Sequence, residues 1–374
     1  MRKKVALIFG GRSLEREISI ITAMQAFQNI DKSLFDVKPI YMYEGDFYAD
    51  NVDKISCFVN FNPAEHKKIL LVKGEFYTLK RDKLSKYFKP DVALLCCHGG
   101  EGENGILQSL LEYNGVAYTS SDTLSSAVCM DKVASKRIFE TLLLNVLPYE
   151  SVSKAEFESD EDGVLERVEG ILYYPLIVKP SSQGSSIGIG VAKDREELRF
   201  CLQVACKFDD KIVVEKKLCD FKEVNCACFY ENGEYVISQT EQPCTASDFL
   251  TFDDKYTSGG KMSGISRIMP ADVGSLDLIV KAVTERVYKE LGLFGVVRVD
   301  FLVDERNNKV YVNEINTIPG SMAFYLFEGA GISFADLLTK LCEQAILRRT
   351  SCKKRTVYQT NVLRNFVGGT KMRK

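Results

Sequence analysis

The chain predicts an α/β fold, with a doubly wound parallel sheet at the N-terminus followed by two α+β domains. Three observations carry that expectation. At the start, Val5-Ala-Leu-Ile-Phe9, Gly10-Gly11-Arg12-Ser13 and a helical stretch over residues 14–27 give a strand, a glycine turn and a helix in succession. A second apolar run, residues 91–97, passes through a glycine-rich loop into another helix over 106–113. From about residue 123 this alternation gives way to mixed text that contains two strand-like segments, 295–303 and 309–316.

The elements follow in order. Ser13 reads as the N-cap of the first helix, in which Leu14, Ile18, Ile21 and Met24 recur at helical spacing. Residues 125–141 and the acidic stretch 156–168 read as helices, and 175–179 as a strand running into a Ser/Gly-rich loop. Strands over 211–215 and 223–229 and a last helix over 334–347 complete the set. The implied domains are 1–122, 123–210 and 211–346, with a basic tail at 347–374.

The segments 295–303 and 309–316 are rich in β-branched and aromatic residues, and Asp304-Glu-Arg-Asn-Asn308 between them is turn chemistry, so they form a hairpin. Side chains alternate along a strand, which puts Arg298 and Asp300 on one face and Glu314 and Asn316 on the same face of the partner. With 304 paired to 310, Asp300 lies opposite Glu314. Two carboxylates so close repel unless a proton or a cation lies between them, and an Asp, Glu, Asn set suits a hard cation such as magnesium. The plainer alternative is a solvated hairpin edge whose charges keep it soluble.

Composition narrows the classes. Of 374 residues, 45% are hydrophobic and 27% charged, which is ordinary for a globular protein with real cores. Residues 346–374 carry nine basic and no acidic side chains, so with a net charge of −2 the rest of the chain carries −2 − 9 = −11. An acidic body argues against nucleic acid as the main partner, and the absence of a long apolar run argues against a membrane. The twelve cysteines show no Cys-x-x-Cys, and Cys96-Cys97 and Cys226-x-Cys228 fall in apolar strand text, so they read as reduced small hydrophobes in a cytoplasmic protein. With only His66 and His98, a His-based zinc site is not expected.

The loop Pro180-Ser-Ser-Gln-Gly184-Ser185-Ser186-Ile-Gly188 follows a strand ending in Lys179. Its small residues let backbone amides approach a polyphosphate, while the lysine supplies charge. The P-loop pattern is absent. Glu215, Lys216 and Leu218, next to Glu223, can offer contacts to a nucleoside, or can be plain surface.

Taken together, the motifs resemble the D-alanine:D-alanine ligases of the ATP-grasp superfamily. The matching text is Gly10-Gly-x-Ser13-x-Glu15, His98-Gly-x-x-Gly-Glu103, Met130-Asp-Lys132, Lys179-Pro-x-x-x-Gly184-Ser-Ser186, Glu215-Lys216, Lys255-Tyr256, Arg298-x-Asp300 and Asn313-Glu-x-Asn316-Thr-x-Pro-Gly320. The resemblance implies an ATP-grasp fold clasping ATP, in which one D-alanine is phosphorylated on its carboxylate and the amine of a second displaces phosphate. It implies that Lys132, Lys179, Gly184 and Ser186 hold phosphates, and that Glu215, Lys216, Leu218, Glu223 and Lys255 complete the nucleotide site. It implies two Mg²⁺ ions on Asp300, Glu314 and Asn316, with Mn²⁺ as a substitute. Arg298 and the Gly320 amide would stabilise the oxyanion. Glu15, helped by Ser185 and Tyr256, would take the first ammonium, with His98 beside the substrate and Ser321 on the second carboxylate. It also implies a homodimer serving peptidoglycan synthesis. The sequence departs from the family at Asn104, where Asp is usual, in residues 248–254, which lack Tyr-Asp-Tyr, and in a shortened 321–327. A ligase for D-serine or D-lactate and a degenerate nucleotide-binding protein remain as alternatives.

Overall fold

The computed structural model describes residues 2–80, 83–244, 266–351 and 360. Among the described residues, three sheets organise the chain. The first contains seven strands: β1 (Lys3–Gly10), β2 (Phe35–Tyr43), β3 (Asp46–Ala49), β4 (Lys67–Val72), β5 (Glu75–Lys80), β6 (Lys83–Phe88) and β7 (Val92–Leu95). Their order is β6-β5-β4-β3-β2-β1-β7. β1 is central to the parallel part: Val5 to Phe9 are completely buried, which an unbroken apolar strand requires when both faces are covered. Only β2, β1 and β7 run parallel, and β2 to β6 form an antiparallel meander, so the sheet is mixed rather than parallel throughout. Two-residue turns join β2 to β3 and β4 to β5. Glu44-Gly45 and Lys73-Gly74 both have positive φ at each position, the geometry that joins adjacent antiparallel strands.

The first helix, α1 (Arg16–Asn29), starts two residues later than the periodicity predicts. Ser13 Oγ accepts from the Glu15 amide at 3.0 Å, so Ser13 turns the chain before the helix and leaves Glu15 at its N-cap. Leu14, the first residue of the expected apolar stripe, is exposed. Farther along, Ser19 Oγ accepts from Gly10 N at 2.7 Å and donates to Cys96 O at 2.8 Å, tying the helix to the ends of β1 and β7.

The expected helix over 125–141 is two, Thr123–Met130 and Lys132–Thr141, broken at Asp131. The Asp131 carboxylate caps the second by accepting from Val133 N and Ala134 N, both at 3.0 Å, which fixes Lys132 at a helix start. The acidic stretch divides likewise into Lys154–Ser159 and Glu161–Ile171.

The second sheet has the order β10-β9-β11-β8, from β8 (Tyr149–Ser153), β9 (Leu176–Pro180), β10 (Gly190–Ala192) and β11 (Lys211–Lys216). The strand 211–216, expected to open the C-terminal domain, instead lies between β8 and β9, so this sheet ends at Lys216 rather than at residue 210. The third sheet, β14-β13-β12-β15-β16, comprises β12 (Lys222–Glu231), β13 (Glu234–Cys244), β14 (Ser266–Ile268), β15 (Val297–Asp304) and β16 (Lys309–Asn316). The helix Leu276–Glu290 buries Val280 and Val287 against its back.

The last helix, Phe334–Ser351, packs Leu337, Leu338 and Leu341 into the core of the first sheet, together with Met322, Leu326 and Phe327. The segment after β16 is thus anchored on the N-terminal domain. Cys96, Cys97, Cys226 and Cys228 are fully buried and pack as small apolar side chains. Among the described residues, no helix is long and apolar enough to cross a membrane.

The end of β1 tests this packing. Gly10 has φ +91°, and a Cβ there would lie 2.5 Å from Met42 O. Gly10→Ala is expected to destabilise the protein by about 3 kcal/mol in urea unfolding, from backbone strain plus overpacking. A loss below about 0.5 kcal/mol, the scatter of neutral surface changes, would show that this turn yields.

Candidate active site

The hairpin brings its polar residues together as the alternation requires: Asp300 pairs with Glu314 and Arg298 with Asn316. The turn end differs from expectation, since Asp304 pairs with Lys309. A register shift between Asp300 and Phe301 leaves Asn313 as the extra residue of β16 and restores the expected pairing at the chemical end. Arg298 holds Asp300 with two hydrogen bonds, Nε to Oδ1 at 2.6 Å and Nη2 to Oδ2 at 2.7 Å, and Asn316 Nδ2 adds a third at 3.0 Å. Burial works against the Arg298 charge, but Asp300 more than offsets it and keeps the guanidinium protonated.

Beside the hairpin lie the lysines. Lys132 Nζ donates to Gln183 O at 2.6 Å and lies 3.6 Å from Glu314 Oε2. Lys179, on β9, donates to Asn313 Oδ1 at 3.3 Å and pairs with Glu215 of β11. The other Glu215 oxygen meets Lys136 Nζ at 2.8 Å. Burial would raise this fully enclosed carboxyl, yet the two ammonium groups pull it down to about 2. Glu215 therefore acts on the site through Lys179, and the Lys216 side chain is exposed. Leu218 and Glu223 line an adjoining cavity with Lys132, Lys179, Gly184, Ser185 and Ser186.

The Ser/Gly loop closes over Glu15. Ser185 Oγ donates to the Glu15 carboxylate, and Ser185, Ser186 and Gly188 all have φ in the left-handed region. Glu15 fits because two neighbours lack side chains: a Cβ on Gly184 would lie 2.5 Å from Glu15 Oε2, and one on Gly99 2.7 Å from it.

At the far end, Thr22 joins His98 to the chain after Gly320. The Ser321 amide donates to Thr22 Oγ1 at 3.0 Å, and the same hydroxyl shares a hydrogen bond with His98 Nε2 at 2.8 Å. Burial holds His98 at about 4, so the ring is neutral near pH 7. The Ser321 hydroxyl is buried and donates to Gln25 Oε1 at 2.7 Å, so it is engaged by α1 and does not line the cleft. Gly320 does line it. Lys255 and Tyr256 lie outside the described residues, as does the divergent segment 248–254. Asn104 keeps its turn by accepting from Ile106 N at 3.2 Å, a bond the usual Asp would also make.

Several residues join the site without having been singled out for a role from the sequence. Glu103 accepts from Gly99 N and Ile318 N, both at 2.9 Å, and from Thr317 Oγ1 at 3.2 Å, stapling the glycine loop to the end of β16. Burial raises it to about 7. Its place in the His98–Glu103 motif was the available signal. Lys136 lies one helical turn beyond Lys132, and Asn313 stood in the Asn313–Gly320 motif but is turned toward Lys179 at the bulge. Glu241, Arg267 and Tyr325 line the cleft from β13, β14 and the turn after Gly320.

Comparison places this architecture. The fold is that of the ATP-grasp ligases: the chain superposes on the VanG D-Ala:D-Ser ligase from Enterococcus faecalis with a TM-score of 0.77 and 28% identity, covering 92% of this chain and 100% of that one. The D-alanine-D-alanine ligase from Coxiella burnetii gives a TM-score of 0.76 and 26% identity, over 94% of this chain and 97% of that one. The sequence profiles "D-ala D-ala ligase N-terminus" and "D-ala D-ala ligase C-terminus" match residues 4–121 and 138–343. The chain belongs to the D-ala D-ala ligase family. A D-alanine--D-alanine ligase from Chloroherpeton thalassium is 35% identical over 95% of this chain and 100% of its own length, and one from Caldicellulosiruptor bescii 36% identical over 92% and 95%.

The Lys136–Glu215–Lys179 cluster has a measurable consequence. A carboxyl whose folded pKa is depressed contributes stability above its unfolded value, and that stability is lost as pH falls through the folded value. For Glu215, a fall from the ordinary 4.5 to about 2 amounts to about 3 kcal/mol, lost between pH 4.5 and 2. Glu215→Gln is expected to lower stability at pH 7 by about 3–5 kcal/mol in denaturant titrations and to remove that acid-side slope. An unchanged slope would mean that the lysines do not hold this charge.

Proposed function

We propose that the chain joins two D-alanine molecules at the expense of ATP. A carboxylate oxygen of the first D-alanine attacks the γ-phosphorus and ADP leaves. The amine of the second then attacks the acyl carbon, phosphate leaves with its oxygen, and the amine gives up a proton. The observation that carries this reading is the charge balance of the cleft. Among the described residues lining it, six carboxyl groups (Glu15, Glu103, Glu223, Glu241, Asp300, Glu314) face three cationic side chains (Lys132, Arg267, Arg298). Such a surface favours substrates that bring ammonium groups and metal cations along with their phosphates.

The roles divide along the cleft. Lys132 and Lys179, with the amides of the Ser/Gly loop, suit the polyphosphate, and the Glu15–Ser185 pair suits the first ammonium. Asp300, Glu314 and Asn316 offer an oxygen donor set fitted to Mg²⁺, which when bound would neutralise phosphate charge and polarise the γ-phosphoryl group. Arg298 lies on their face and with the Gly320 amide would meet the oxyanion formed at the acyl carbon. The names of the full-length relatives support D-alanine as both substrates, and with them a place in peptidoglycan synthesis. Cores that contain buried thiols accord with a cytoplasmic setting. The likeness to a D-Ala:D-Ser ligase favours D-serine as the second reading for the acceptor.

Two measurements check these roles. ATP turnover over a panel of D-amino acids, with products identified by mass, is expected to give D-alanyl-D-alanine as the main dipeptide, and a mixed D-alanyl-D-serine product would establish the second reading. Asp300→Asn is expected to reduce phosphate release at least about a thousandfold at saturating Mg²⁺ while unfolding stays within about 2 kcal/mol of the wild type. Near-normal turnover would remove Asp300 from the metal site.

A further inference from the structure

The acceptor's carboxylate needs a cation, and among the described residues most of the cleft's cations already have a partner. Arg298 is committed to Asp300 by two hydrogen bonds, Lys132 to Gln183 and Glu314, and Lys179 to Glu215. Ser321, the residue expected to hold that carboxylate, gives its hydroxyl to Gln25. Arg267 differs from them. Among the described residues its guanidinium makes no hydrogen bond: Nε lies 3.7 Å from Glu241 Oε2, and the group stacks 4.4 Å from the centre of the Tyr325 ring.

Its surroundings are built to hold it. Glu314, Asp300, Asn225 and Glu241 form a row of paired residues across β16, β15, β12 and β13, and Arg267 on β14 pairs with Pro243, two residues beyond Glu241. Glu241 is 3% exposed. Its Oε1 accepts from Asn225 Nδ2 at 2.9 Å and from the Tyr325 hydroxyl at 2.8 Å, while Oε2, toward Arg267, has no hydrogen bond among the described residues. Burial raises the Tyr325 hydroxyl, so it stays a donor. Tyr325 comes from the turn Gly320–Leu326, in which Ser321, Met322 and Ala323 all take φ near +50°. That turn sends Ser321 toward α1 and carries Tyr325 back to the cleft beside Gly320.

We propose that Arg267 holds the carboxylate of the acceptor amino acid, with Glu241 and Tyr325 as positioning residues behind its guanidinium. This rests on the ligase reading above and adds the group that selects an amino acid, rather than a simple amine, as acceptor. Arg267 does not line the cavity that adjoins the Ser/Gly loop, where the phosphates belong. A planar guanidinium backed by an aromatic ring and an unsatisfied carboxylate oxygen is preorganised for a two-point carboxylate contact.

The test uses D-alanine as donor and either D-alanine or D-alaninamide as acceptor; the amide lacks a carboxylate and serves only as acceptor. Wild type is expected to prefer D-alanine strongly. Arg267→Met should raise the KM of the second D-alanine about 30-fold, leave the KM values of ATP and the first D-alanine unchanged, and erase most of the preference over the amide. Arg267→Lys should recover part of it, and Glu241→Gln should raise the acceptor KM with little change in kcat. A preference retained in Arg267→Met, or an ATP KM that rises with the acceptor KM, would overturn the assignment. Should wild type turn over ATP without making D-alanyl-D-alanine, the reading of D-alanine as acceptor fails separately. The same variants, compared on whichever acceptor the enzyme uses and its amide, then decide the role of Arg267.

Discussion

Excess negative charge in the cleft is the constraint to which the rest of the site answers. Carboxylates gathered from the N-cap of α1, the glycine loop after β7 and the third sheet do not remain close together without compensation, and each part of the fold supplies some. Arg298 clamps Asp300, Lys132 approaches Glu314, and Ser185 donates to Glu15. Glu215 works in the reverse sense. It lies behind Lys179 and Lys136, where one buried carboxylate holds two ammonium groups in place. Truncating one partner of such a cluster leaves an uncompensated buried charge, which is why its effect on stability is large although its oxygens do not reach the cavity.

The same economy explains how three sheets make one site. Glu103 staples the loop after β7 to the end of β16, and the helix Phe334–Ser351 sinks its apolar face into the core of the first sheet. The turn after Gly320 is therefore held from two sides, which suits a segment whose backbone takes three successive left-handed residues. Opposite it, the Ser/Gly loop reaches Glu15 through close approaches that only glycine permits at 99 and 184.

Much of this was legible in the sequence where the signal is local. Alternation fixed the shared face of Arg298, Asp300, Glu314 and Asn316, and the Asp300–Glu314 pairing is as expected. The pairing nearer the turn was one residue off because the bulge at Asn313 has no distinctive residue to mark it. The first helix began late because Ser13 spends its hydroxyl on a turn, a competition that N-cap preference alone does not resolve. The antiparallel meander was missed, because the pairs Glu44-Gly45 and Lys73-Gly74 that turn two of its hairpins are not the Asn-Gly or Asp-Gly that mark such turns in a sequence. Ser321, Met322 and Ala323 carry no preference for positive φ, so the displacement of Ser321 from the cleft could be seen only in the fold. The ion pairs of Glu215 and Glu241 join residues far apart in the chain, which spacing does not encode.

The central claim is that this cleft activates a carboxylate by phosphorylating it. The most direct test supplies D-alanine labelled with oxygen-18 in its carboxyl group, together with ATP and Mg²⁺, and follows the isotope shift of inorganic phosphate by phosphorus NMR. Activation through an acyl phosphate predicts one labelled oxygen in the phosphate released for each dipeptide formed, with ADP as the other product. Dipeptide formed with unlabelled phosphate, or with AMP and pyrophosphate in place of ADP, would contradict it.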